Sequence, residues 1–401
     1  MISIITESRI CGIENAAGDQ LVAKAAGKPA RQSTGYTAFM PDPLPPNIQW
    51  TETLVRCLSD ADRLVGQLAG QGSQLPNPHV LIRPFIRREA VLSSKIEGTQ
   101  ATLGELLAAE AGVVVERSPD DLREVGNYVT ALEFGVERLA RLPLSIRLVR
   151  ELHEKLMTGV RGGHATPGEF RRTQNWIGPA GCTLANATYV PPPADRLMEC
   201  LGDWEKALRD TRLPVLVQAA LLHYQFEAIH PFIDGNGRVG RLLITLLLVE
   251  RTVLPTPLLY LSAFFEATRD EYYRRLLAVS RESAWSAWLE YFLNGAARQA
   301  EDALSRAARI NQLLARWRRA VAGRGTKNAL LLVGAVAENP YVTIRGAADK
   351  LGVAFTTAQR AIDALRREKI LTDVSRTKRE RVFCAMGILD ILEEPAKLVP
   401  G

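Results

Sequence analysis

Two long apolar segments, Leu213 to Ile229 and Val239 to Arg251, are separated by a short stretch that a helix cannot run through. That stretch reads His230-Pro-Phe-Ile-Asp234-Gly-Asn-Gly237-Arg238 and enters the second segment as Val239-Gly240-Arg241. Asp-Gly-Asn-Gly favours turns and left-handed backbone, because two glycines and an asparagine tolerate both. Each flanking segment is apolar almost all round, the pattern of a helix at the centre of a core. A central helix–loop–helix is therefore what the rest of the chain must be built around.

The loop has its own chemistry. A helix that starts within Gly237 to Arg241 turns its free N–H groups and positive dipole end toward the loop, which makes an anion site. Arg238 and Arg241 stand about one turn apart, so both guanidiniums can face one phosphate group. His230, at the loop's entrance, titrates in the range suited to a general base. Asp234 is a hard carboxylate beside the anion site, of the kind that holds Mg²⁺. Three other readings stand beside this one. The segment could be a plain helical corner with a satisfied histidine and two surface arginines. Gly235-x-Gly237-x-x-Gly240 satisfies a dinucleotide fingerprint, but a helix precedes it where a strand is needed, and no βαβ unit surrounds it. A metal hydrolase lacks support, since the five histidines show no ligand spacing.

Helical periodicity recurs along most of the remaining chain. It begins at Trp50 and stops at Gly70 and Gly72, after which Pro76, Pro78 and Pro84 break the pattern. Helices are predicted over Arg88 to Gly98, Thr102 to Ala111, Leu122 to Arg141, Ser145 to Val160 behind a serine cap, Leu197 to Arg209, Asp270 to Val279 and Ala284 to Leu293. Residues 296–322 read as one long basic helix. Between Gly162 and Pro193 the composition shifts to Gly, Pro, Thr and Asn, with strand-like Asn175-Trp-Ile and Ala187-Thr-Tyr-Val, and predicts a β-hairpin or flap. The expected fold is mainly α: a helical bundle with this flap, followed by a small winged helix-turn-helix. The expected divisions are an irregular arm (1–34), an N-terminal helical region (35–115), a core (116–294), a linker helix (295–324) and the C-terminal unit (325–401).

His230-Pro-Phe-Ile-Asp-Gly-Asn-Gly-Arg-Val-Gly-Arg241 resembles the signature of the Fic family, H-x-F-x-[D/E]-G-N-G-R-x-x-R, at every defined position. The resemblance implies transfer of AMP from ATP to a hydroxyl side chain of a target protein. It makes His230 the general base and Asp234 the Mg²⁺ ligand. It gives the backbone of Gly235, Asn236 and Gly237, the Asn236 side chain and Arg238 to the phosphates. Val239 and Gly240 line the same nucleotide-binding turn, and Arg241 takes the γ-phosphate. Ser93-Ser-Lys-Ile-Glu97-Gly98 is similar to the family's inhibitory motif, [S/T]-x-x-x-E-[G/N]. Glu97 is then expected to reach Arg241 and exclude the γ-phosphate, with Ser93 one turn back on the same face. Asn186, Ala187, Thr188 and Tyr189 resemble the flap that docks a target segment by strand addition. Tyr272 resembles a position that packs on adenine, and Ser280 stands where some relatives have an adenine-contacting Asn. The resemblance covers roughly residues 35–300.

The C-terminal unit is read separately. Residues 295–401 carry 19 Lys and Arg against 11 Asp and Glu, whereas the rest of the chain is slightly acidic. Thr343 to Leu351, a Gly352 turn and Thr356 to Lys369 predict a helix-turn-helix. Leu371 to Val374 and Val382-Phe383 predict the strands of a wing. Thr356, Thr357, Gln359 and Arg360 would meet base edges, and Arg376, Lys378, Arg379 and Arg381 phosphates, if the unit binds DNA. The same unit also serves elsewhere for protein contact or dimerisation, and a homodimer is an open expectation.

Two function classes follow. One is a self-inhibited protein adenylyltransferase using ATP and Mg²⁺ on a Ser, Thr or Tyr of a target protein or of itself. The other is a DNA-binding regulator whose Fic part senses nucleotide; removal of AMP at the same site is a further alternative. No uncharged apolar run approaches the ~18 residues of a membrane span. The start of the chain lacks the basic and apolar regions of a signal peptide. Five scattered cysteines argue for a reducing compartment, so a cytoplasmic location is expected.

Overall fold

In the computed structural model, residues 25–33, 35–74, 79–160, 166–322, 327–375 and 381–396 are described. The first elements are an antiparallel strand pair, β1 (Gly27–Arg31) and β2 (Thr37–Pro41). Residues 27–31 are thus a strand rather than irregular arm. Their pairing is local, and the pair is tied to the body through the Phe39 amide, which donates to the Val190 carbonyl at 2.8 Å.

The helices follow in order: α1 (Glu52–Gln74), α2 (His79–Ile96), α3 (Leu103–Glu110), α4 (Pro119–Leu139), α5 (Ile146–Met157), α6 (Leu197–Arg209), α7 (Val215–Ile229), α8 (Asn236–Glu250), α9 (Ser262–Ala267), α10 (Arg269–Glu282) and α11 (Trp285–Ala322). Local signals explain several boundaries. Thr102 and Glu105 form a reciprocal capping box on α3, and the Ser145 hydroxyl accepts from the Leu148 amide at the start of α5. Two glycine-and-proline readings fail. α1 continues through Gly70 and Gly72, where a Cβ on Gly72 would lie 2.9 Å from Leu258 Cδ1. α2 starts well before Arg88 and contains Pro84, near enough to its N-terminus for the lost amide bond to be tolerated. α11 is one 38-residue helix where two were expected. Its Gly295 lets the backbone approach Phe264, whose Cδ1 would be 2.5 Å from a Cβ there.

α7 and α8 are buried on nearly all sides, as their composition predicts. Trp204 and Trp288 cover α7, and each satisfies its indole N–H on an α7 carbonyl, Leu222 and Ala220 respectively, at 3.0 Å. α1 lies along α11, and α2 is held between α4, α9 and the C-terminal unit.

That unit comprises α12 (Lys327–Glu338), β3 (Tyr341–Thr343), α13 (Ile344–Leu351), α14 (Phe355–Arg367), β4 (Thr372–Asp373), β5 (Val382–Cys384) and α15 (Met386–Glu393), with strands in the order β3-β5-β4. It packs on α2 and α11 within one continuous apolar core. Arg306 of α11, 2% exposed, is paired with Asp302 and donates to the carbonyls of Ile391 and Glu394 beyond it. Arg376, Lys378 and Arg379 lie outside the described residues.

Candidate functional site

The site begins where α7 ends. His230 caps that helix in the left-handed region, φ 49° and ψ 62°, an unusual conformation for a residue with a Cβ. Three side chains to which the sequence reading gave no role here hold this residue and the loop after it. Arg171 Nε donates to the His230 carbonyl at 2.9 Å, and its Nη2 reaches the carbonyls of Pro192 and Ile229. Asn175 Nδ2 donates to the carbonyls of His230 and Phe232. His153 stacks on Phe232 at 3.7 Å, and its Nε2 is 3.0 Å from the Asp234 carbonyl. These contacts span tens of residues in sequence, so no local spacing announces them.

The imidazole itself is set up to take a proton. His230 Nδ1 lies 3.3 Å from the Glu227 carbonyl. A carbonyl can only accept, so Nδ1 carries the hydrogen and Nε2 keeps its lone pair. Burial, with help from the Arg171 charge, lowers the His230 pKa to about 4. The ring is therefore neutral at pH 7, the form a general base requires.

The loop then delivers the anion site. Gly235 adopts φ 80°, and α8 starts at Asn236. The Asn236 side chain braces the loop: Oδ1 accepts from the Phe232 amide at 2.8 Å and Nδ2 donates to the Phe232 carbonyl at 2.9 Å. These two bonds shape the turn, and they leave the second Nδ2 hydrogen outside them. Val239 packs inward with no exposed surface, so its contribution to the turn is structural. Gly240 abuts Glu227, whose Oε1 would be 2.4 Å from a Cβ. Burial raises the Glu227 pKa to about 8.

Arg238 is 4% exposed, yet its Nε and Nη1 find no hydrogen-bond partner among the described residues. Its carboxylate neighbours, Asp234 at 3.5 Å and Glu124 at 3.6 Å, are beyond good hydrogen-bonding distance. A buried guanidinium with unpartnered N–H groups, beside a helix N-terminus, suits a phosphate. Asp234 is half-exposed, and its Oδ1 accepts from the Gly235 amide at 2.6 Å. No group of three or more His, Cys, Asp or Glu gathers around a metal position among the described residues. A single exposed carboxylate next to a phosphate site fits Mg²⁺, which takes one or two protein carboxylates and completes its shell with phosphate and water.

The residues of the expected inhibitory motif meet Arg241. α2 closes at Gly98, φ 102°, with the Thr99 amide bonded back to the Ser94 carbonyl at 3.2 Å. This turn aims Glu97 at α8. Arg241 Nη2 donates to Glu97 Oε1 at 2.7 Å, Arg241 Nε to the Ser93 hydroxyl at 2.8 Å, and Nη2 again to the Ser93 carbonyl at 2.9 Å. A Cβ on Gly237 would lie 2.4 Å from the same carboxylate oxygen, so Glu97 sits directly over the first turn of α8. Burial is the largest single influence and opposes the Arg241 charge, but Glu97 together with Tyr272, Tyr273 and Glu227 holds the pKa above its ordinary value.

Other expected residues fall differently. Tyr272 is 1% exposed, stacks on Phe265 at 4.5 Å, and its hydroxyl lies 2.8 Å from His223 Nε2. It is a core residue with no open ring face, contrary to its expected packing on adenine. Ser280 is buried against the Tyr224 hydroxyl at 2.9 Å. The flap is reduced to one antiparallel bridge, Ile177 with Tyr189, and a 3₁₀ turn over Leu184–Asn186. Asn186 caps that turn by accepting from the Thr183 amide at 2.7 Å, and the Thr188 carbonyl accepts from Arg281 at 3.1 Å. Ala187 links the turn to the bridge strand. The Tyr189 hydroxyl donates to the Ala228 carbonyl at 2.8 Å, which ties the flap to the last turn of α7.

Comparison with known proteins agrees with this geometry. Residues 55–137 match the Fic/DOC family N-terminal model and residues 143–248 the Fic/DOC family model. Protein adenylyltransferase Fic of Drosophila willistoni is 34% identical over 164 residues, 39% of this chain and 30% of that protein. The Drosophila grimshawi protein of the same name is also 34% identical, over 39% of this chain and 31% of its own length. The chain thus spans about a third of the length of these curated relatives. A Fic family protein from Desulfovibrio desulfuricans G20 shares the fold, with a TM-score of 0.56 at 23% identity over 85% of this chain and 98% of that one. Matched in tandem around the assembled loop, residues 55–137 and 143–248 carry the N-terminal and Fic domains of the Fic/DOC family.

Proposed function

We propose that this chain is a self-inhibited protein adenylyltransferase. The observation that carries the reading is one juxtaposition: a neutral imidazole and a guanidinium whose Nε and Nη1 find no hydrogen-bond partner among the described residues flank the same helix N-terminus. In the proposed step a target Ser, Thr or Tyr oxygen attacks the α-phosphorus of ATP. The bond from that phosphorus to the α–β bridging oxygen breaks, pyrophosphate leaves, and the hydroxyl proton passes to His230 Nε2. Arg238 and the amides of Gly237 and Arg238 orient the phosphates, and the dipole of α8 stabilises their charge. Asp234 would hold Mg²⁺, whose charge stabilises the polyphosphate and the departing pyrophosphate when bound. The flap strand at Tyr189 would present the target segment, and Glu97 keeps the γ-phosphate from Arg241 until it is displaced. The 35–115 region is then inhibitory, 116–294 catalytic and 295–324 a linker helix. The test is incubation with α-labelled ATP and Mg²⁺. Glu97→Gly should become labelled or label a partner, and Glu97→Gly with His230→Ala should not. Equal labelling of both removes the reading.

We further propose that the 325–401 unit is a winged helix-turn-helix that meets DNA. The first two turns of α14 leave Phe355, Thr356 and Arg360 exposed, and Arg345 of α13 is exposed as well. Binding of duplex DNA by the full chain should fall steeply with salt and be lost in an Arg345→Glu, Arg360→Glu variant. Binding unchanged by salt and by both substitutions would leave a protein-contact role.

A further inference from the structure

The flap strand has two edges, and both are in use. Along a strand the N–H and C=O of one residue face the same side, and successive residues alternate sides. Tyr189 exchanges both of its backbone bonds with Ile177, at 3.0 and 2.9 Å. Thr188 and Val190 therefore turn their carbonyls to the opposite side, the edge at which a further strand would add. The Val190 carbonyl accepts from the Phe39 amide at 2.8 Å, and the Thr188 carbonyl accepts from Arg281 Nη2 at 3.1 Å. The Phe39 ring lies against the Tyr189 ring, with centroids 5.8 Å apart. β2 thus sits on that edge as an added strand would, with β1 beyond it.

The register keeps a strand from another molecule from simply extending this sheet. Pro29 stands opposite Phe39 in the β1–β2 pair. The Phe39 amide points away from β1, so at this position the two strands exchange no hydrogen bonds and Pro29 turns its own backbone groups outward. Proline has no N–H to offer there, and Lys28 beside it is exposed, two features that close an edge to pairing. An incoming strand can therefore reach this edge of the flap only by taking the place of β2. Few bonds oppose that exchange. Among the described residues, hydrogen bonds join residues 35–42 to the helical body and flap at Val190, at Gln174, whose Oε1 accepts from the Tyr36 hydroxyl at 3.0 Å, and at Gln225, whose Nε2 donates to the Asp42 carbonyl at 3.1 Å. The first lies on the strand edge, and the other two hold the segment's ends.

We propose that β2 is a resident stand-in for the target strand on the flap's docking edge, and that a target enters by displacing it with an extended segment that carries an aromatic side chain in Phe39's place. The inference rests on the adenylyltransferase reading for one point, that the incoming strand is the segment to be modified. The block is separate from that of Glu97, which on that reading keeps the γ-phosphate from Arg241, whereas β2 keeps the target from the flap. Because β2 is tethered to the flap through its own chain, it competes at a high effective concentration despite its few bonds. A strand seated about nine-tenths of the time lowers the apparent affinity of a competitor about tenfold.

The probe is a dye-labelled synthetic peptide with the sequence of residues 35–42, and its binding to the full chain is read by fluorescence anisotropy. Phe39→Pro in the chain removes both the amide that meets Val190 and the ring that meets Tyr189, while the pairing of β1 with β2 loses no hydrogen bond. Phe39→Ala removes the ring alone and leaves the backbone untouched. The Phe39→Pro chain should bind the peptide at least ~10-fold more tightly than the parent, and the Phe39→Ala chain should fall between them. The gain should be lost when the peptide's own Phe is replaced by Pro. No gain in either variant would overturn the proposal. So would a gain that survives the replacement in the peptide, since the peptide would then bind elsewhere. No nucleotide takes part, so this outcome is independent of the labelling test. If Glu97→Gly fails to transfer AMP while the peptide still exchanges with β2, the enzyme reading falls, and with it the identity of the incoming strand as a target.

Discussion

Glu97 Oε1 meets Arg241 Nη2 at 2.7 Å, and it does so over the first turn of α8, where Gly237 has room for that oxygen only because it lacks a Cβ. The carboxylate thus occupies a helix N-terminus and neutralises a guanidinium at once. Both are features that an incoming phosphate needs, and a second anion forced into the same place would suffer like-charge crowding in a partly dry site.

Glu97→Gly should therefore raise AMP transfer, self-modification included, by at least ~10-fold, which corresponds to about 1.4 kcal/mol of barrier. The same change leaves Arg241 buried without its counter-charge, and loss of one member of a buried pair typically costs about 3–5 kcal/mol; with Glu97 partly exposed, the lower end applies. The variant should melt below the parent, and ATP should raise its melting temperature more than it raises the parent's. Equal transfer rates together with equal melting temperatures would remove Glu97 from the inhibitory role.

His230 should set the acid side of the pH profile. Its pKa of about 4 keeps it neutral well below the ordinary histidine range, so kcat/KM of the Glu97→Gly form should show no loss of the base near pH 6.5. His230→Ala should lower transfer by about 10²–10⁴-fold. The linked stability effect has a definite sign. A histidine with a depressed folded pKa binds its proton first in the unfolded chain, so its contribution is present above about pH 6.5 and lost as pH falls toward 4. Buried His153, also lowered to about 4, acts in the same direction. Glu89 and Glu227, raised to about 7 and about 8, oppose them, since their protonated forms favour the fold as pH drops from 8 to the ordinary carboxyl range. In urea titrations, His230→Ala should lose less stability than the parent between pH 7 and 4.5. An identical loss would show that His230 is not held neutral by its surroundings.

Arg238 offers a separate test. Among the described residues its buried Nε and Nη1 have no hydrogen-bond partner, so the free protein carries a desolvated group whose use comes with the ligand. Arg238→Ala should weaken ATP binding by at least ~10-fold, the loss of a charge-assisted contact, while thermal stability without nucleotide stays level or rises. Reduced stability with unchanged nucleotide affinity would make Arg238 a structural residue and put the phosphates elsewhere.

Much of this site could be read from the sequence because its parts are close together there. The loop from His230 to Arg241 and the caps of α3 and α5 rest on local backbone chemistry. Glu97 and Arg241 are 144 residues apart, and only the resemblance of two motifs joined them. What the sequence hid was of two kinds. Gly70, Gly72 and Pro84 suggested breaks, but tertiary packing carried α1 and α2 through them. Tyr272 has a role decided by His223 and Phe265 on other elements, for which composition and spacing give no sign.

Arg171 is of that second kind, and its substitution by lysine separates positioning from charge. The guanidinium donates to the carbonyls of His230, Thr173, Pro192 and Ile229, so one planar fork joins the end of α7, the loop and the flap. Lysine keeps the positive charge that helps hold His230 neutral, but a single ammonium cannot span acceptors spread around a guanidinium plane. Carbonyls left without a donor in this buried place cost about 1–3 kcal/mol each, and the left-handed turn at His230 is the conformation they support. Arg171→Lys in the Glu97→Gly chain should therefore lower kcat by about 10–10²-fold through misplacement of the base, while ATP affinity, set by α8 and Arg238, changes little. The acid limb of the profile should stay near pH 4, because the charge is retained. A loss confined to ATP affinity, with kcat preserved, would show that Arg171 serves the nucleotide and not the base.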